Sequence, residues 1–179
     1  MEPLKINAFG PPNPPPSGLT RWHSSGGNIL NSGNSLNQDF KEFLALLLDE
    51  KAEFALVGGF AVAYHGYPRF TGDMDILIDR SPENAGKILR VLDRFGFGKR
   101  AIAAADLMAE ANVIQLGFPP VRIDLITSVD GVGNSEVFPA LIHDDFFGLK
   151  IPIISKEHLI RNKRATGRTQ DLLDLENLS

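Results

Sequence analysis

Apolar residues fall along this chain in two rhythms. Between Asn37 and Lys51, residues Phe40, Phe43, Leu44, Leu47 and Leu48 recur at the spacing of one helix face, and Asp39 with Glu42 has the form of a capping box. The same spacing returns in Ala85, Ile88, Leu89, Leu92 and Phe95. There Ser81 is expected as the cap, Pro82 as the first helical residue and Gly96 as the stop. A further helix is expected from Lys156 to about Thr166 behind Ser155. Another turn or two follow from Thr169, with Leu172, Leu173, Leu175 and Leu178 as the apolar face. The second rhythm is the short continuous apolar run of strand length: Phe54 to Val57, Ile76 to Ile78, Val113 to Leu116, Val121 to Thr127 and Leu149 to Ile154. Pro152 assigns the last of these to a sheet edge. The middle pair is joined by a turn through Gly117 to Pro120. Ala101 to Ala111 reads as a short helix or a structured loop, and Val137 to Ile142 as a short apolar segment of either type. Strands and helices mix, so the expected class is α/β or α+β, with a mixed central β-sheet flanked by helices.

Composition divides the chain. Residues 1–36 are rich in Pro, Gly, Asn and Ser and hold half of the 12 prolines, too little apolar surface to offset chain entropy. A disordered tail is expected there, with Trp22 as its one large aromatic, and a folded domain over residues 37–179. The overall 43% hydrophobic and 22% charged content is that of an ordinary globular protein. With no cysteine, disulfides and thiolate zinc sites are excluded, which fits a cytoplasmic setting. A net charge of −4 argues against a broad basic surface for duplex DNA. No apolar stretch is long enough for a bilayer, and no signal-peptide core follows the N-terminus, so no membrane partner is expected.

The chemistry gathers in Phe54 to Asp79, FALVGGFAVAYHGYPRFTGDMDILID. It reads as strand, Gly-Gly turn, short helix over Phe60 to Tyr64, loop and strand. Asp73 and Asp75 stand two apart on a strand and so project to one face. Two carboxylates so placed repel unless a cation lies between them, and Mg²⁺ or Mn²⁺ takes oxygen ligands of this kind. Gly58 and Gly59 have no Cβ to keep a ligand from the backbone, and the helix they open favours phosphate. Asp124 interrupts the apolar strand VRIDLIT, and a buried carboxylate is costly unless paired or metal-bound. Two readings stand for these carboxylates: a three-ligand metal site, or a loop cap at Asp73 with Asp124 paired to Arg122 or Arg69. Arg69 and Thr71 either touch phosphate or hold the loop in shape. His65 is expected as a hydrogen-bonded structural histidine, and Lys87, Arg90 and Arg94 as a solvated helix face.

Gly58-Gly59, thirteen residues and Asp73-x-Asp75 resemble the signature of the DNA polymerase β-like nucleotidyltransferase superfamily. The fuller text, GGFAVAYHGYPRFTGDMDI, is similar to small bacterial nucleotidyltransferases related to AbiEii-type toxins and to minimal nucleotidyltransferase antitoxins. The resemblance spans roughly Phe40 to Leu178. It implies transfer of a nucleoside monophosphate from an NTP to a hydroxyl. The acceptor would be tRNA, a partner protein or a small molecule, in the setting of a toxin–antitoxin system. It implies Asp73, Asp75 and Asp124 as metal ligands, and Gly58, Gly59, Arg69, Thr71 and Arg168 as nucleotide contacts. KRATGRTQDLLDL resembles the block these enzymes carry after the core, with Lys163, Arg168, Asp171 and Asp174 in matching positions. Lys163 is expected to meet the leaving pyrophosphate from the edge of its helix, where its loss would cost little stability. Many superfamily members have Gly-Ser where this chain has Gly58-Gly59, so backbone N–H groups replace the serine hydroxyl. A binding or regulatory protein on the same fold, with a residual nucleotide site, is the alternative.

Overall fold

A computed structural model of the chain describes residues 5–7, 32–98, 102–118 and 121–178. The tail expected over residues 1–36 lies largely outside them, Trp22 included. Of it the structure describes a strand, β1 (Lys5–Asn7), and the start of helix α1 (Ser32–Asp49). Because α1 begins at Ser32, Asp39 and Glu42 lie within the helix and cannot box its start.

The remaining elements are β2 (Phe54–Leu56), α2 (Gly58–Tyr64), β3 (Asp73–Ile78), α3 (Pro82–Phe95), α4 (Ala104–Met108), β4 (Val113–Phe118) and β5 (Val121–Ile126). Then come α5 (Asn134–Val137), a single 3₁₀ turn, β6 (Ile142–Phe146), β7 (Leu149–Ile153), α6 (Lys156–Thr166) and α7 (Thr169–Leu178). The strands form one mixed sheet in the order β1-β4-β5-β3-β2-β7-β6. At its centre β3 runs parallel to β5 and antiparallel to β2. The second halves of β3 and β5 are apolar with β2, and Leu56, Ile76, Leu77, Ile78, Ile123 and Leu125 are fully buried. Phe43, Leu44 and Leu47 of α1 and Ile88 and Val91 of α3 are buried with them.

The caps formed as the sequence dictates. Ser81 Oγ accepts from Asn84 N at 3.3 Å, and Gly96 ends α3 at φ 106°. Ser155 Oγ accepts from His158 N at 3.3 Å, and Gly167 ends α6 at φ 63°. Two further expectations need correction, and one strand is added. Pro152 lies not on an edge strand but on β7, between β2 and β6. It is tolerated because β2 pairs with β7 only at Ile153. The edge is β6, whose IHDDF is too polar to read as a strand and is mostly solvent-exposed. On α7 the buried residues are Asp171, Asp174 and Leu178, while Leu172 and Leu173 are exposed. Arg90 and Arg94 are exposed, as expected of them, and also tie α3 to the end of α1 through Glu50, each at 2.7 Å. No helix among the described residues is long and apolar enough to cross a membrane.

Candidate active site

The sheet register brings the three expected aspartates to one face. Asp73 and Asp75 are alternate residues of β3, and Asp75 lies opposite Asp124 of the parallel strand β5. Asp124 is buried. Asp75 also packs against the start of α2. A Cβ on Gly58 would overlap the Asp75 carboxylate, standing 2.6 Å from its Cγ, and Gly58 has φ 62°. The absent side chain therefore makes room for Asp75 and not, as expected, for a ligand. Gly59 is covered in the same way, since a Cβ there would stand 2.9 Å from Thr71 Oγ1 and 3.3 Å from Arg69 Nη2. Both glycines lie inside α2, as its first two residues, and form no separate turn.

Electrostatics follow from this crowding. Burial, then the charges of Asp124 and Asp73, push the Asp75 carboxyl up to about 6, against smaller pulls from Lys163 and Arg168. Burial also raises Asp124, although hydrogen bonds from Arg122 oppose it. Arg122 is the main addition to the expected site. Its Nη2 donates to Asp73 Oδ2, while Nε and Nη2 donate to Asp124 at 2.7 and 3.1 Å. Gln115 Nε2 donates to the same carboxylate at 3.5 Å. From the sequence Arg122 is expected only as one of two alternative partners for Asp124. Its place two residues before Asp124 put it on the same strand face.

The second half of the site comes from the C-terminal helices. Lys163 Nζ lies 2.6 Å from Asp171 Oδ1 and 2.9 Å from Asp174 Oδ2, and all three side chains are buried. This corrects the expectation for Lys163: its ammonium has no open side and its removal cannot be mild. Asp174 also accepts from Arg69 Nε at 2.8 Å, Arg69 Nη2 at 3.1 Å and Gln170 Nε2 at 3.2 Å. Asp171 accepts from Arg168 Nε at 2.7 Å. Burial alone would raise both carboxyls, but Arg168 and Lys163 hold Asp171, and Arg69, Lys163 and Gln170 hold Asp174, below their ordinary value. Arg168 keeps a side chain 72% exposed. Thr71 Oγ1 donates to the carbonyl of Asp73 at 3.1 Å, so Arg69 and Thr71 do hold the loop in shape. His65 Nε2 is bonded to the Ile154 carbonyl at 2.8 Å, a structural contact. Asp75, Gly58, Gly59, Thr71, Arg69, Asp174, Lys163, Asp171 and Arg168 thus form one connected cluster.

All three candidate ligands for a divalent ion are oxygens, the donor type that Mg²⁺ and Mn²⁺ take. Burial first, and then the charges of Asp124 and Asp73, raise the Asp75 carboxyl, and a cation among the three would offset the second of these. Among the described residues no three carboxylates or imidazoles converge closely enough to hold one as they stand, and Arg122 bridges Asp73 and Asp124.

No protein-family model matches the chain. No curated protein matches it by sequence. Among solved structures it is similar to a provisionally assigned nucleotidyltransferase of Thermotoga maritima. The TM-score is 0.52 at 16% identity, over 86% of this chain and 96% of the other. At that identity the likeness is one of fold: the chain has a nucleotidyltransferase-like fold, a mixed sheet flanked by helices.

Proposed function

We propose that the protein is a metal-dependent nucleotidyltransferase that moves a nucleoside monophosphate from an NTP to a hydroxyl of an RNA, a protein or a small molecule. The observation that carries this reading is Asp75. A carboxylate is pressed onto a glycine, beside two others on the same face, and its carboxyl is pushed up to about 6. Crowding three acids on one face, with Asp124 buried, costs stability, and such an arrangement is characteristic of functional sites.

Asp73, Asp75 and Asp124 would hold Mg²⁺ or Mn²⁺, which supplies positive charge to the phosphoryl oxygens and the leaving group. Asp124, raised by burial, is suited to accept the proton of the acceptor hydroxyl. The side-chain positions of Gly58 and Gly59 are taken by Asp75 and by Arg69 with Thr71, so the triphosphate would be met by backbone N–H groups at the start of α2 and by the Arg69 guanidinium and Thr71 beside them. Arg168 replaces Lys163 as the cation for the departing pyrophosphate. It is mostly exposed, and its charge is felt at Asp75. Lys163 positions Asp171 and Asp174, and through them Arg168 and Arg69.

The Arg122 bridge favours a second reading. A guanidinium satisfying Asp73 and Asp124 is what a residual site would keep if the protein now served as a binding or regulatory partner, such as an antitoxin. Transfer of label from an α-³²P-NTP separates the two. Wild-type protein with Mg²⁺ should label an RNA, protein or small-molecule fraction, and Asp75→Asn should not. Label in RNA would fit a toxin-like enzyme, label in protein an antitoxin-like one. No transfer to any fraction favours the binding protein.

A further inference from the structure

Phe70 is 89% exposed, by a wide margin the most exposed large hydrophobic side chain among the described residues. It stands in the loop between α2 and β3, and both of its neighbours belong to the site. Arg69 is fixed to Asp174 by two hydrogen bonds of 2.8 and 3.1 Å, and its Nη1 reaches back to the Phe70 carbonyl at 3.5 Å. Thr71 is fixed to the Asp73 carbonyl and packs over Gly59. The loop is therefore held on each side of a ring that has no aromatic partner among the described residues. A single exposed apolar residue is unremarkable on a surface. An exposed aromatic between two anchored residues, one position from the groups that cover Gly59, is placed for a planar ligand.

We infer that Phe70 is a stacking platform for a nucleobase at the rim of the site, and thus a binding residue for the nucleotide or for the end of an acceptor strand. The inference rests on the nucleotidyltransferase reading. Every base offers a π-face, so stacking tolerates sequence and gives affinity without reading an edge. Because Arg69 and Thr71 already order the loop, little entropy is lost when the base arrives. The ring gains nothing from folding, so its role does not depend on the core.

Isothermal titration calorimetry of the full chain with Mg²⁺ tests this. The ligands are the four NTPs, inorganic tripolyphosphate and a short single-stranded oligoribonucleotide. Phe70→Ala should weaken binding of the NTPs, or of the oligonucleotide, by roughly tenfold or more, as loss of one base–aromatic stack does. It should leave tripolyphosphate binding and the melting temperature unchanged, and Phe70→Trp should restore the lost affinity. A loss confined to NTPs assigns the base to the donor, and a loss confined to the oligonucleotide assigns it to the acceptor. Equal binding by wild type and Phe70→Ala overturns the inference, as does an equal loss for tripolyphosphate, which would mean the loop had moved. If the wild type binds none of these ligands, the nucleotidyltransferase reading falls and the stacking role with it.

Discussion

Replacing Lys163 by Met keeps the side-chain volume and removes the charge, so the change isolates the buried ion pairs. Lys163 lies 2.6 and 2.9 Å from two carboxylates that are themselves 1% and 0% exposed. Breaking a buried pair by deleting one partner costs ~3–5 kcal/mol, because the remaining charge is stranded. Here Asp171 keeps Arg168, and Asp174 keeps Arg69 and Gln170, so the low end, about 3 kcal/mol, is expected. For a chain of this size that is a fall in Tm of roughly 6–12 °C. The pH dependence checks the cause. Asp171 and Asp174 have carboxyls held below the ordinary 3.8. Their stabilisation is therefore complete above about pH 4 and is lost as pH falls through the folded values. Lys163→Met forfeits part of that stabilisation. The gap between variant and wild type in urea unfolding should be full at pH 7 and narrow below about pH 4. A loss under about 1 kcal/mol at pH 7, or a gap that stays constant into acid, would refute the buried ion-pair account.

Asp75→Asn should raise stability at pH 7 while abolishing transfer. An acid whose folded pKa of about 6 exceeds its unfolded 3.8 destabilises the fold as pH rises between those values and no further above them. The gain of the variant is expected to reach ~1–2 kcal/mol by neutral pH, less than the full linkage value because solvent reaches part of the group, and to vanish below about pH 4. Gly58→Ala should cost about 2 kcal/mol or more in chemical unfolding and abolish nucleotide binding, since φ 62° is strained for Ala and its Cβ displaces Asp75. Arg122→Gln should lower the Tm in chelator and tighten Mg²⁺ binding by calorimetry, since Asp73 and Asp124 then lack their internal cation. Unchanged Mg²⁺ affinity would show that Arg122 does not compete for these carboxylates.

That Asp73, Asp75 and Asp124 share a face follows from the register of β3 and β5, but the pair Asp73 and Asp75 was legible because a period of two puts both on one face, and Asp124 because it interrupts an apolar strand. The caps at Ser81, Gly96, Ser155 and Gly167 were legible for the same local reason. What failed depends on distant partners. The leucines of α7 outnumber its aspartates, so periodicity chose Leu172 and Leu173 as the buried face. Asp171 and Asp174 are inside because Lys163, Arg69 and Arg168 meet them there, and Arg69 lies 105 residues from Asp174. Arg122 was visible as a possible ion-pair partner, but its bridge to Asp73 appears only once β3 and β5 are set side by side in register. Strand β6 was missed because an exposed edge needs few apolar residues.

The counter-charges on α7 bear on the order in which the molecule is made. A ribosome delivers β2, β3 and β5 first, then Lys163, and only afterwards Asp171 and Asp174. Until α7 emerges, Lys163 has no buried acid to meet and Arg69 has nothing to fix it over Gly59. A nascent or truncated chain that stops before Thr169 would therefore lack the Asp174 anchor of Arg69 and keep only the Thr71 bond to the Asp73 carbonyl in the loop before β3. If the protein is the nucleotidyltransferase proposed above, the position of two aspartates would withhold competence from incomplete chains, a safeguard of value to a cell whose own RNA or proteins were the acceptors.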